Sequence, residues 1–101
     1  MYKIQPRQRK IAKQLGVIIK PSTNRKKKID VFTKSMKKIA SIGGRREDGS
    51  FYNDYSTYLK IKPLAEANAL RDSYLKRHSK EPKIKNNVYT ASYYADKILW
   101  S

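Results

Sequence analysis

The sequence predicts an α+β protein: a small single domain with a β-hairpin and two helices, preceded by an extended basic N-terminal arm. Three observations carry this expectation. Lys and Arg fill thirteen of the first 38 positions against the single acid Asp30, whereas the last 63 hold eleven basic and seven acidic residues. Two β-rich runs, 29–33 and 38–42, flank a gap of hairpin-loop length. Beyond Pro63, apolar residues recur at helical spacing.

In chain order, residues 1–28 are the expected arm and 29–101 the body. Arg7 to Leu15 suit a short helix that starts after Pro6 and stops at Gly16, a usual residue just past a helix end. Ile11, Ala12 and Leu15 give it one narrow apolar stripe; a helix this short is marginal in water, so order is expected only on docking. Val17-Ile18-Ile19 reads as a short extended anchor, which Pro21-Ser22-Thr23-Asn24 breaks. The block Arg25-Lys26-Lys27-Lys28 leads into the first hairpin strand, and Gly43-Gly44 ends the second. A two-stranded ribbon must lie on a helix or another chain.

The loop 45–50 is polar and turn-like. Tyr52, Tyr55 and Tyr58 follow at a spacing that suits one face of a helical or 3₁₀ segment. Pro63 falls at the expected first position of a long helix, 63–79, with Leu64, Ala67, Leu70, Tyr74, Leu75 and His78 as its stripe. Glu81 to Asn87 reads as an exposed connector. Thr90 is the expected N-cap of a final helix, 90–99, in which Tyr94 and Ile98 share a face. Trp100 is expected as a core or interface plug.

Composition narrows the function classes. The 101 residues are 39% hydrophobic and include no cysteine, so disulfides and thiolate metal sites are excluded. The longest apolar run near the N-terminus, Val17-Ile18-Ile19, is far short of a bilayer span, and no secretory leader is visible; an intracellular, soluble protein is expected.

A net charge of +16 is an argument about partners rather than fold. The expected binding residues are Arg7, Arg9, Lys10, Lys13 and Lys20, then the block Arg25, Lys26, Lys27 and Lys28, and in the body Lys37, Lys38, Arg45 and Arg46. Three readings stand for them: nucleic acid, acidic protein surfaces, or plain solvation. Nothing spaces them for base readout, so nucleic-acid binding would be sequence-neutral. The aromatic residues Phe51, Tyr52, Tyr55, Tyr58, Tyr74, Tyr93, Tyr94 and Trp100 suit core or interface packing better than base stacking, because Asp54 sits among the first tyrosines and repels phosphate.

Catalysis is not expected. His78 is the lone histidine, beside Arg77, and neither a metal-ligand spacing nor a nucleophile with a base is present. Gly43-Gly44 lacks the glycine pattern of a phosphate loop. Asp54, Glu66, Asp72 and Asp96 are expected to pair with local Lys or Arg. No cofactor and no small-molecule substrate are implied.

Several segments occur in a familiar order: Ile29-Asp30-Val31-Phe32, Ile39-Ala40-Ser41-Ile42-Gly43, Asp54-Tyr55-Ser56-Thr57-Tyr58, Tyr74-Leu75-Lys76-Arg77-His78, and Ser92-Tyr93-Tyr94-Ala95-Asp96-Lys97-Ile98-Leu99-Trp100. Together they resemble a family of small basic proteins encoded by large nucleocytoplasmic DNA viruses. The Arg-His pair and the closing Tyr-Trp segment are also loosely similar to small head-associated proteins of tailed phages. Members usually carry an Arg-Arg pair one turn before the Tyr of the Tyr74-Leu75-Lys76-Arg77-His78 segment; here Ala69-Leu70-Arg71 stands there. The resemblance implies a virion component, located in the particle and, during assembly, in the host cytoplasm or nucleus. A non-enzymatic minor capsid or cement protein is therefore expected, with viral coat or core proteins as partners; the alternative is a sequence-neutral DNA-binding protein that organises the genome. A 28-residue arm would reach up to about 90–100 Å when extended.

Overall fold

The computed structural model describes residues 2–44 and 46–101. The protein is α+β, as expected, with helices and a small antiparallel sheet. The chain divides into two compact units, one ending at Tyr52 and one spanning Asn53–Ser101.

The first unit begins with α1 (Pro6–Leu15). Pro6 opens the helix with a fixed φ, and the Gln8 side-chain oxygen accepts a hydrogen bond from the Gln5 backbone N–H at 2.9 Å. Gly16 closes it in the left-handed region at φ 74°. The strands β1 (Ile18–Pro21), β2 (Ile29–Phe32) and β3 (Lys38–Ile42) follow as an antiparallel meander with β2 in the centre. Ile19 faces Val31 and Ile29 faces Ile42 across the ladders, with a bulge between Val31 and Phe32. These four side chains, with Ile4 and Ala12, are buried, each large one contributing about 1.5–3 kcal/mol. The β2–β3 turn carries Met36 at φ 70°, and Thr33 Oγ1 accepts from the Lys37 backbone N–H at 3.1 Å.

The short helix expected after Pro6, with its stop at Gly16, is present as α1; what corrects the extended arm is β1, because Ile18–Pro21 is a strand of the sheet. The expected boundary at 28/29 lies beside a ladder, because β1 pairs with β2 in the register Pro21↔Ile29. Backbone hydrogen bonds to β2 supply the partner that Val17-Ile18-Ile19 lacks alone. The hairpin over 29–42 is present as expected, and β1 makes it a three-stranded sheet.

The second unit holds α2 (Tyr55–Ile61), α3 (Leu64–Arg77), a two-stranded hairpin of β4 (Ile84–Lys85) and β5 (Val88–Tyr89), and α4 (Ala91–Tyr94), which runs into a π-helical turn at Ala95–Leu99. Asp54 caps α2, its Oδ1 accepting from the Thr57 backbone N–H at 3.0 Å. Thr90 caps α4 as expected, accepting from the Tyr93 N–H at 3.4 Å. Pro63 stands just before α3 rather than inside it. Tyr55, Ala67, Tyr94, Ala95, Ile98, Leu99 and Trp100 are buried. The expected connector over 81–87 contains β4 and a tight turn at Asn86 (φ 53°) and Asn87 (φ 64°), two residues that tolerate the left-handed region.

Candidate acidic-partner interface

Fifteen Lys or Arg against three Asp or Glu fall within residues 1–52, so the first unit's sequence carries +12 of the charge. Helix α1 turns Gln8 and Ala12 inward and leaves Arg7, Arg9, Lys10 and Lys13 exposed. Lys20 is exposed on β1 with its ammonium 5.9 Å from the Phe32 ring centre. Arg25 and Lys26 are exposed and Lys27 half-buried in the turn between β1 and β2. That turn is pinned by Asn24, whose Oδ1 accepts from the Lys26 N–H at 2.9 Å. Lys37 and Lys38 are exposed at the β2–β3 turn, and Arg46 is exposed with its guanidinium 4.8 Å from the Tyr52 ring centre. Arg45 lies outside the described residues. Lys3 and Lys34, absent from the expected set, are exposed in the same unit; Lys34 was legible as a turn lysine.

Lys28 is a correction. The residue is 2% exposed, so it is not part of a solvent-facing cationic surface. The stem lies against Gly43, where an added Cβ would stand 2.7 Å from Lys28 Cγ. The ammonium sits 5.1 Å from the centre of the Tyr2 ring, which in turn meets Phe51 edge-on at 5.3 Å. A lysine in a basic block looks solvated, but strand pairing on both sides of residue 28 turns this one inward: its N–H donates to the Ile42 carbonyl and its carbonyl accepts from Ser22.

Asp30 is the first unit's buried acid, on the sheet face opposite Ile29 and Val31. Its Oδ1 accepts from Ser22 Oγ and Ser41 Oγ at 2.7 Å each, while Oδ2 faces the Thr23 N–H and Lys38 Nζ, both at 3.4 Å. Burial pushes its pKa up, but the two hydroxyls, the Thr23 N–H and the Lys38 ammonium together outweigh that and hold it below the ordinary value. Lys38 is thus partly committed to Asp30.

Between α1, β1 and the β2–β3 turn lies an open groove of about 490 Å³. Arg9, Lys13 and Lys34 line it with charge, and Ala12, Gly16, Val17, Ile18 and Ile19 line it with apolar surface.

The expected packing aromatics divide between the units. Phe51 and Tyr52 belong to the first, with Tyr52 52% exposed. In the second, Trp100 stacks on Tyr74 at 4.2 Å and lies 6.1 Å from Tyr58, and Tyr74 also stacks on His78 at 4.3 Å. Burial, aided by the Asp96 and Glu81 carboxylates and opposed by Arg77, pushes the Tyr74 phenol up to about 12. Tyr55 is buried, its hydroxyl donating to Asn68 Oδ1 at 2.6 Å beneath the Arg71 guanidinium. Tyr93 meets Tyr94 edge-on at 5.3 Å and stacks on Tyr89 at 3.9 Å; burial, reinforced by neighbouring phenols, raises the pKa of both Tyr93 and Tyr94. Base stacking would need open ring faces; Tyr74 is stacked between Trp100 and His78, and Tyr93 is stacked on Tyr89, whereas Tyr52 is exposed beside Arg46.

A polar chain closes this unit. Glu81 accepts from Ser92 Oγ at 2.8 Å and meets His78 Nδ1 at 2.7 Å, contacts that hold its pKa low. The Lys83 ammonium reaches Ser92 Oγ at 2.6 Å, the His78 carbonyl at 3.1 Å and Asp96 at 2.7 Å, using all three of its donors. Glu66 pairs with Lys62 and Asp72 with Arg71, each at 3.4 Å, whereas Asp54 serves as a helix cap. Among the described residues no group of three or more His, Asp or Glu gathers to hold a metal ion, and no helix is long and apolar enough to cross a membrane.

The chain matches no protein-family model, no curated protein and no solved structure.

Proposed function

We propose that this chain is a non-enzymatic structural component of a large DNA virus particle, a minor capsid or cement protein that holds an acidic coat or core protein against the basic surface of its first unit. The observation that carries the reading is the mounting of that charge: Arg9, Lys10 and Lys13 stand on a capped helix, Lys20 and Lys38 on strands, and Lys34 and Lys37 on a bonded turn. Cations fixed on ordered elements lose less side-chain and backbone freedom on binding than cations on a free arm. The family resemblance of the segments from Ile29 to Trp100 supports placement in the virion, with host cytoplasm or nucleus as the site of assembly. Purified particles should contain the chain, cross-linked through its first unit to an acidic coat or core protein. Recovery from infected-cell extracts alone would remove the reading.

The second reading, a sequence-neutral DNA-binding protein that organises the genome, is favoured by the spread of cations over α1, the β1–β2 turn and the β2–β3 turn without any pattern for base edges. A titration against random duplex DNA separates the two: engagement of six to ten phosphates costs about 10³–10⁵ in affinity between 50 and 200 mM salt. A shallow slope, with retained binding to a coat protein, favours cement.

A further inference from the structure

We infer that the groove between α1 and β1 is a receptor for an acidic protein segment that presents an aliphatic side chain between carboxylates. This deepens the proposed function and rests on it for the acidic character of the partner. Arg9 and Lys13 are one helical turn apart on α1, and Lys34 enters from the β2–β3 turn, so cations from separate elements converge on one concavity. Among the described residues no carboxylate pairs with any of the three. Their charge is therefore available to an incoming anion, and guanidinium suits a carboxylate in two-pronged contact.

The rest of the lining decides what accompanies that anion. Val17 and Ile18 are only half-buried, so apolar surface remains for a ligand to cover. No aromatic ring lines the groove, so it lacks the ring platform on which single-strand binders stack successive bases. Gly16, at the turn from α1 into β1, has no atom within 4 Å of where a Cβ would stand, so the space there is open. The volume of about 490 Å³ falls in the range of clefts that take small ligands or single side chains. Cationic walls over an aliphatic floor are complementary to a segment in which one leucine-like residue is flanked by Asp or Glu.

The test uses the full chain and two fluorescent pentapeptides, Asp-Glu-Leu-Glu-Asp and Asp-Glu-Gly-Glu-Asp, in anisotropy titrations. The leucine peptide is expected to bind about tenfold more tightly, the size of a partly buried aliphatic side chain. The double substitution Arg9→Gln with Lys34→Gln should erase that preference, while Lys26→Gln with Lys37→Gln should weaken both peptides by a similar factor and leave it intact. All substituted positions are exposed, and unchanged circular dichroism melts would show that folding is retained. Equal affinity of the native chain for the two peptides would overturn the receptor while leaving a general acidic-partner surface standing. Displacement of the leucine peptide by a short random oligonucleotide, lost on Arg9→Gln with Lys34→Gln, would overturn it in favour of a phosphate ligand. Failure of the whole reading looks different: neither peptide binds and the chain is missing from particles.

Discussion

Asp30 and Lys28 show how strongly local surroundings redefine a charged residue. Asp30 is the acid that the N-terminal charge count sets against thirteen bases, yet it is spent inside the sheet on Ser22, Ser41 and Lys38. Replacing it by Asn keeps the shape but loses charge-assisted bonds, and Asp30→Asn should cost about 2 kcal/mol in denaturant unfolding at neutral pH. Because its folded pKa is lowered, its carboxylate contributes stability above the unfolded value of about 3.9, and that contribution drains away as pH falls through the lower folded value. The native chain should therefore lose stability below about pH 4, and the difference between native and Asp30→Asn should shrink there. At Gly43, φ is +86° and a Cβ would press on the Lys28 stem at 2.7 Å. Gly43→Ala should destabilise by at least about 1–2 kcal/mol, read as a lower melting temperature. None of this was legible in the sequence: a lysine closing a run of four bases gives no hint of burial, and an isolated aspartate gives no hint of two serines that are distant along the chain.

Among the elements, legibility followed the strength of local signals. Helix α3, the 29–42 hairpin, the Gly16 stop and the Thr90 cap carry their cues within a few residues, and each is present. Strand β1 was legible only as an extended anchor, because its apolar run stops at Ile19 and Pro21 follows two residues on; the partner register at β2 makes it a sheet strand. The β4–β5 hairpin was legible and missed: Asn86-Asn87 between Ile84-Lys85 and Val88-Tyr89 is a turn signal that the polar surroundings obscured. The cap at Asp54 was read as a phosphate-repelling charge, although an acid three residues before Thr57 is a helix-start signature. Asp54→Ala should cost about 1–2 kcal/mol, measured by thermal or chemical unfolding. In the closing segment, Trp100→Ala would remove one of the two rings stacked on Tyr74 and empty a buried position, and a loss of about 3–5 kcal/mol is expected.

At the scale of the molecule, the charge asymmetry was fully legible and its mounting only in part: the helix over Arg7–Leu15 and the 29–42 hairpin were expected, but the strand that joins them into one unit was not. A free arm suggests a test by deletion of residues 1–28, but that deletion would remove α1, β1 and Lys28 and unfold what remains of the first unit. Neutralising exposed side chains is the informative perturbation. Replacing Arg9, Lys10 and Lys13 by Gln should change folding stability by no more than about 0.5 kcal/mol per site while weakening association with any acidic partner, more at low salt than at high. The interface itself, a basic groove with an aliphatic floor, had no signature along the chain because its walls come from a helix, a strand and a turn separated by up to 25 positions.

The single tryptophan gives the molecule a selective optical reporter. Trp100 belongs to the second unit and lies face to face with Tyr74, so its emission registers the melting of that unit, whereas backbone dichroism registers both. Superimposable heating curves from the two signals would mean that the halves lose their structure in one cooperative event; a fluorescence curve displaced from the dichroism curve would mean that they do so independently.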